Sequence, residues 1–237
     1  MLDLNGDDID MEFENRNHVP NIEKQTSEKT DIVAVSGHFR YGLHNLLHDS
    51  EPKYIAFFRN PVEQYLSQYY YITSLEEYPD IKEMSLKRGN LEEFIGSDLL
   101  IYTQNTQTFF LSEAKNRLDF QSRVDYFSEQ AIKEIVNSFA FCAITEHFDE
   151  SLVIMREIFD WKKPMYYVKR KVNINRPKAE SHDESLIRRI KEINNFDFAL
   201  YENALAQFEI KKTNIKFFRM KVLIFKIQNY FYRTFHK

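Results

Sequence analysis

The sequence is short of the residues on which many functional sites are built. Only one cysteine, Cys142, stands in 237 residues, which excludes an internal disulfide framework and any cysteine-based zinc centre. The five glycines, Gly6, Gly37, Gly42, Gly89 and Gly96, fall in neither GxGxxG nor GxxxxGK[ST], so the chain carries no dinucleotide fingerprint and no Walker loop. Nowhere do about eighteen uncharged apolar residues run together, as a membrane-spanning helix requires. The first twenty residues are acidic and polar, the reverse of a secretory leader. A cytoplasmic protein, or one peripheral to a membrane, is the expectation. An excess of bases is missing too: 32 Lys and Arg against 36 Asp and Glu give a net charge of −4, which does not suit wholesale nucleic-acid binding.

What is present suits a folded enzyme-sized domain. Apolar residues make up 43% of the chain and aromatics 15%, enough for a core packed with bulky side chains. Charge is uneven along it. Residues 1–30 hold eight acids and three bases, a net of −5, whereas residues 211–237 hold eight bases and no acid. Between the ends, short apolar runs alternate with helix-like stretches. Residues 32–35, 54–58 and 139–144 read as buried strands. Helices are expected over 61–74 (Asn60 as cap, Pro61 in the first turn), 128–137 (Ser128 as a simple cap), 147–159, 183–193 and 196–208. Alternation of this kind predicts an α/β fold, a parallel sheet flanked by helices. The organisation expected is an acidic flexible lead-in over 1–30, one domain over 31–210 and a basic amphipathic helical tail over 211–237.

The stretch richest in chemistry is Tyr54 to Tyr71. A strand ending at Phe58 places Arg59 at a carboxyl edge, where open α/β sheets bind ligands. Asn60-Pro61 then starts a helix, whose open N–H groups and dipole would face the same crevice. Ser67 lies in the second turn. A guanidinium, a helix start and a hydroxyl make a phosphate cradle without glycine. On spacing alone, an Arg salt bridge above an ordinary amphipathic helix explains the same residues.

Arg-Asn-Pro-Val-x-x-x-x-Ser-x-Tyr-Tyr-Tyr at 59–71 resembles the 3′-phosphate-binding motif of carbohydrate sulfotransferases. The likeness is to the heparan sulfate 2-O- and 6-O-sulfotransferase group and its bacterial members. Further landmarks follow in that family's order: Ser36-Gly37-His38, Asn105 to Thr108, Phe141 to Ser151, and Asn173 to Pro177. The resemblance implies a P-loop-NTPase-like sulfotransferase fold and a PAPS-dependent O-sulfotransferase acting on a saccharide hydroxyl, with no metal. By it, Arg59 and Ser67 bind the 3′-phosphate of 3′-phosphoadenylyl sulfate (PAPS), and Arg176 belongs to a loop closing over the nucleotide. His38 is the general base that takes the acceptor proton. Arg40 and Gln107 lie toward the acceptor saccharide. On the residues alone, Gln107 is equally a buried amide satisfied by backbone and Arg40 an exposed ion pair.

The family also uses an N-terminal strand and a Gly- and Lys-containing loop for the 5′-phosphosulfate. No such loop is found here, and the strand is expected to be missing with it. This points either to a truncated enzyme or to an inactive sulfotransferase-like protein that binds carbohydrate or nucleotide.

In the tail, Phe217, Met220, Ile224, Ile227, Phe231 and Phe235 share one helical seam, and Arg219, Lys226 and Arg233 recur on another face. Such a helix lies on an anionic membrane surface, or packs its seam on the domain or a second copy and exposes its bases.

Overall fold

Two pairs of short parallel strands are joined and covered by helices in a computed structural model that describes residues 2–3, 35–36, 41, 52–74, 90–96, 103–112, 114, 116–168 and 177–235. Strand β1 (Leu2–Asp3) runs parallel to β2 (Val35–Ser36), with Leu2 opposite Val35. The sequence gives no sign of β1, because two residues carry no periodicity to read. Of the strand expected over 32–35, Val35 is observed, and 32–34 lie outside the described residues. Strand β3 (Ile55–Phe58) runs parallel to β4 (Phe141–Ile144), with Ile55 opposite Phe141 and Phe58 opposite Ile144.

A parallel pair needs a crossover. It is filled here by α1 (Pro61–Ser74), α2 (Leu91–Ile95), α3 (Thr106–Leu111), α4 (Arg117–Ser122) and α5 (Glu129–Ser138). After β4 come α6 (Phe148–Ile158), α7 (Glu184–Ile193), α8 (Asn195–Thr213) and α9 (Phe218–Phe235). The fold is α/β, as expected. Local chemistry sets several starts. The Ser128 hydroxyl accepts from the Ala131 N–H at 3.2 Å and the Asp183 carboxylate from the Ser185 N–H at 2.7 Å, each satisfying an N–H with no intrahelical partner.

Apolar side chains gather in two clusters. One surrounds β4 and draws Phe141, Ile144, Ile154, Leu200 and Phe208 from β4, α6 and α8. The other joins α1, α2 and α7 through Tyr65, Leu66, Phe94 and Ile190. Each fully buried aliphatic or phenyl side chain contributes about 1.5–3 kcal/mol by leaving water. Strand β4 is buried at all four positions, the double coverage expected of a parallel strand. Strand β3 departs from that expectation, since Phe57 keeps 42% of its surface exposed.

The C-terminal helix excludes one of its expected arrangements, the packing of the seam on the domain. It packs on the domain through Phe218, Val222, Phe225 and Asn229, while the apolar seam that the sequence singles out faces solvent from Phe217 to Phe235. Both stripes have helical spacing, and packing selects the narrower one.

Candidate functional site

The turn between β3 and α1 is where side chains from distant parts of the chain converge. Asn60 caps α1, its Oδ1 accepting from the Val62 N–H at 3.0 Å and the Glu63 N–H at 3.4 Å. Pro61 brings no N–H, which suits the first helical position. The Arg59 N–H donates to Gln107 Oε1 at 2.8 Å, and Gln107 Nε2 donates back to the Arg59 carbonyl at 2.9 Å. From the other side, the Asn60 N–H donates to Glu146 Oε1 at 2.8 Å. The sequence suggests N–H groups open to a ligand at this helix start, but protein side chains satisfy them. The physical reason is that donors in a half-buried turn need partners whether or not a ligand is bound.

Two further contacts fix the clamping side chains. Helix α3 presents Gln107, and the Asp197 carboxylate caps that helix by accepting from the Gln107 N–H at 3.1 Å, the Thr108 N–H at 2.7 Å and the Thr108 hydroxyl at 2.7 Å. Asn105 returns the favour. Its Oδ1 accepts from the N–H groups of Phe196 at 3.0 Å and Asp197 at 3.1 Å, at the start of α8. Asn105 adopts φ 45°, a left-handed conformation that asparagine tolerates better than most residues. Two helix starts therefore cap each other across about ninety residues of sequence.

Burial raises the Asp197 carboxyl above its ordinary range, while bonds from Thr108 and Gln107 and the charge of Arg117 pull it back. Burial in turn lowers the Arg117 guanidinium to about 10, with Asp197 opposing the shift. That guanidinium lies 4.1 Å from the centre of the Phe109 ring and donates to the Gln104 carbonyl at 2.9 Å. Glu146 is steadied by the Tyr201 hydroxyl, which donates to its Oε2 at 3.3 Å. Burial, then the Glu146 charge and bond, pushes the Tyr201 phenol up to about 12.

The side chains of the turn project toward a third segment. The Arg59 guanidinium keeps 28% exposure, and its Nη2 is 3.7 Å from Glu63 Oε2. Glu63 also accepts from the Ala179 N–H at 3.3 Å, and the ring of Tyr70 lies 6.4 Å from that of His182. Ser67, half-buried, falls between Glu63 and Tyr70 on this face of α1, by the i, i+4, i+7 spacing. Glu63 and Tyr70 thus border the 179–182 turn, and Ser67 shares their face of α1.

His38, Arg40 and Arg176 lie outside the described residues. The Tyr41 N–H donates to the Phe110 carbonyl of α3 at 3.0 Å, which ties Tyr41 to the helix carrying Gln107. Gln107 takes the second of its two expected forms, an amide satisfied by backbone. Both polar atoms of its carboxamide engage the Arg59 peptide, so it positions the turn. Glu63, Asp197 and Arg117 have no counterpart among the site residues read from sequence. The partners of Asp197 are distant in the chain, and the Glu63 spacing of i, i+4 from Arg59 was there to be read.

No curated protein and no solved structure matches the chain. A family model described as galactose-3-O-sulfotransferase matches residues 12–223. That span contains the 59–71 motif and the later landmarks. The expectation of a carbohydrate sulfotransferase therefore holds, while the subgroup matched is the galactose-3-O one and not the heparan sulfate 2-O- and 6-O- group. With 212 of its 237 residues inside that match, the chain belongs to the galactose-3-O-sulfotransferase family.

Proposed function

We propose that the protein is a PAPS-dependent O-sulfotransferase whose acceptor is a galactosyl hydroxyl, and that Arg59 and Ser67 hold the donor by its 3′-phosphate. The observation that carries this reading is the bracketing of the Arg59 and Asn60 N–H groups by Gln107 and Glu146. A cation on a backbone fixed from two sides is pre-organised, so little freedom is lost on binding.

The donor set suits a phosphate dianion. A guanidinium presents several N–H groups in a plane, and a serine hydroxyl supplies a neutral donor beside it. Glu63 stands 3.7 Å from the guanidinium, beyond hydrogen-bond length, a partly exposed pair of the kind worth about 0.2–1 kcal/mol. Bound PAPS supplies the sulfuryl group. In this reading His38 takes the proton of the acceptor hydroxyl, Arg40 lies toward the saccharide and Arg176 toward the nucleotide. Tyr41, three residues after His38 in the sequence, is tied to α3, the helix that clamps Arg59.

Calorimetric titration with 3′-phosphoadenosine 5′-phosphate tests the site. Arg59→Ala is expected to weaken binding by about 10–100-fold, the loss of charge-assisted hydrogen bonds. Glu63→Gln, which keeps the acceptor for Ala179, is expected to tighten it a few-fold. No binding by the wild-type chain, or equal binding by Arg59→Ala, overturns the assignment. Sulfate transfer to a galactose-terminated acceptor then separates an enzyme from a binding protein. His38→Ala is expected to abolish transfer while leaving nucleotide affinity unchanged.

A further inference from the structure

The outer face of α9 presents Met220, Leu223, Ile224, Ile227, Tyr230 and Phe231 to solvent, and Phe235 extends the band. Over 18 residues the helix is about 27 Å long, so this is a continuous apolar strip rather than scattered exposure. Its inner stripe is already used against the domain. The helix is therefore apolar on two opposite faces, and only one has a protein partner among the described residues.

Charge decides what fits the other. Residues 211–237 contain no acid. At 100° per residue, Arg219, Lys226 and Arg233 fall on the border between inner and outer faces, seven residues apart. Lys226 is 3.9 Å from Asp149, and Lys221 on the opposite border pairs with Glu157, both on α6. Arg219 and Arg233 are exposed and make no ion pair among the described residues. Lys216 is exposed just ahead of the helix. A second copy of this surface would offer only more cations. An anionic lipid surface complements it on both counts, with acyl chains for the strip and headgroups for bases that reach up along its edge. No described helix is long and apolar enough to cross a membrane, which leaves lying along the surface.

The entry to α9 adds an independent sign. Phe217 is held at φ 56° with 74% of its surface exposed. A bulky residue in the left-handed region is strained, and here the strain holds an aromatic ring outward at the end of the strip.

We propose that α9 docks the protein on an anionic lipid surface through this outer face. The proposal is independent of the nucleotide site. Flotation of the full chain with vesicles of phosphatidylcholine, alone or mixed with phosphatidylserine, tests it. The wild type is expected on the mixed vesicles, and Ile224→Glu/Ile227→Glu is expected to lose partitioning by tenfold or more, roughly the effect of placing charge in the apolar strip. Arg219→Gln/Arg233→Gln, which leaves the strip intact, is expected to lose about fivefold per arginine and to make the residual binding less sensitive to salt. Circular dichroism and melting confirm that both variants are folded. Equal partitioning of wild type and both variants overturns the proposal. So does self-association without lipid that disappears in Ile224→Glu/Ile227→Glu while the wild type ignores mixed vesicles, which would assign the face to a second copy.

Discussion

Helices α1 and α9 both carry apolar side chains around much of their circumference, yet they are used in opposite ways. In α1, Val62, Tyr65, Leu66 and Tyr69 are packed beneath α2 and α7, and the remaining face presents Ser67 and, beside the 179–182 turn, Glu63. In α9 the larger apolar strip is outside, and the inward face even includes a polar residue, Asn229, which accepts from the Tyr167 N–H at 2.8 Å. Apolar spacing thus shows that a helix has faces; neighbours and charge decide which one is covered.

The sharpest break in this comparison comes from the support beneath α1. Asp197→Ala removes three hydrogen bonds that cap α3 and leaves their donors without a partner, so a loss of about 3–5 kcal/mol is expected in urea unfolding. A loss below about 1 kcal/mol would mean that the α1 turn stands without its clamp. Next comes a matched pair of truncations. Leu66→Ala, at a fully buried position of α1, is expected to cost about 2–5 kcal/mol. Ile227→Ala, on the outer strip of α9, is expected to change stability by no more than about 0.5 kcal/mol.

Phe217→Gly should act in the other direction. Releasing the left-handed strain is expected to stabilise the chain by about 1 kcal/mol, while removing the ring weakens vesicle binding. Stability and binding would then move apart, which simple damage to the helix would not produce.

The last test uses pH, because each region leans on one phenol. Tyr201 supports Glu146 beside α1, and Tyr167 supports α9 while donating to Asp149 at 2.8 Å. Burial, with the neighbouring carboxylate second, raises both phenols from 10.0 to about 12. Folded, they hold their protons more tightly than unfolded, so the unfolded chain sheds them first as pH rises. The urea midpoint is therefore expected to be unaffected by these groups between pH ~7 and ~9 and to fall between about 10 and about 12. Tyr201→Phe should reduce that fall, and an unchanged profile would remove Tyr201 from the support of the turn.

How far the sequence reached follows the same division between local and distant chemistry. The start of α1 at Asn60-Pro61, the cap Ser128, and strands β3 and β4 were legible because each is written in a few consecutive residues. The mutual capping of Asn105 and Asp197 was not, since neither residue's own neighbourhood names the other. Gln107 was legible with two roles open, because an amide serves a ligand and a peptide equally well. The strip on α9 was seen as a seam, but its direction stayed open, because the competing stripe at Phe218, Val222 and Phe225 has the same period.

The bonds that secure the Arg59 turn have a consequence for synthesis. Glu146 must find Asn60, and Asp197 must reach α3 before Gln107 is fixed. During translation at about 5–20 residues per second, residues 59–60 leave the ribosome on the order of ten seconds before residues 194–201 do. Throughout that interval the arginine has its strand and helix sequence but not its fastening. A nascent chain arrested before α8 would thus carry the family motif in full and still lack the rigid arginine that the finished protein presents.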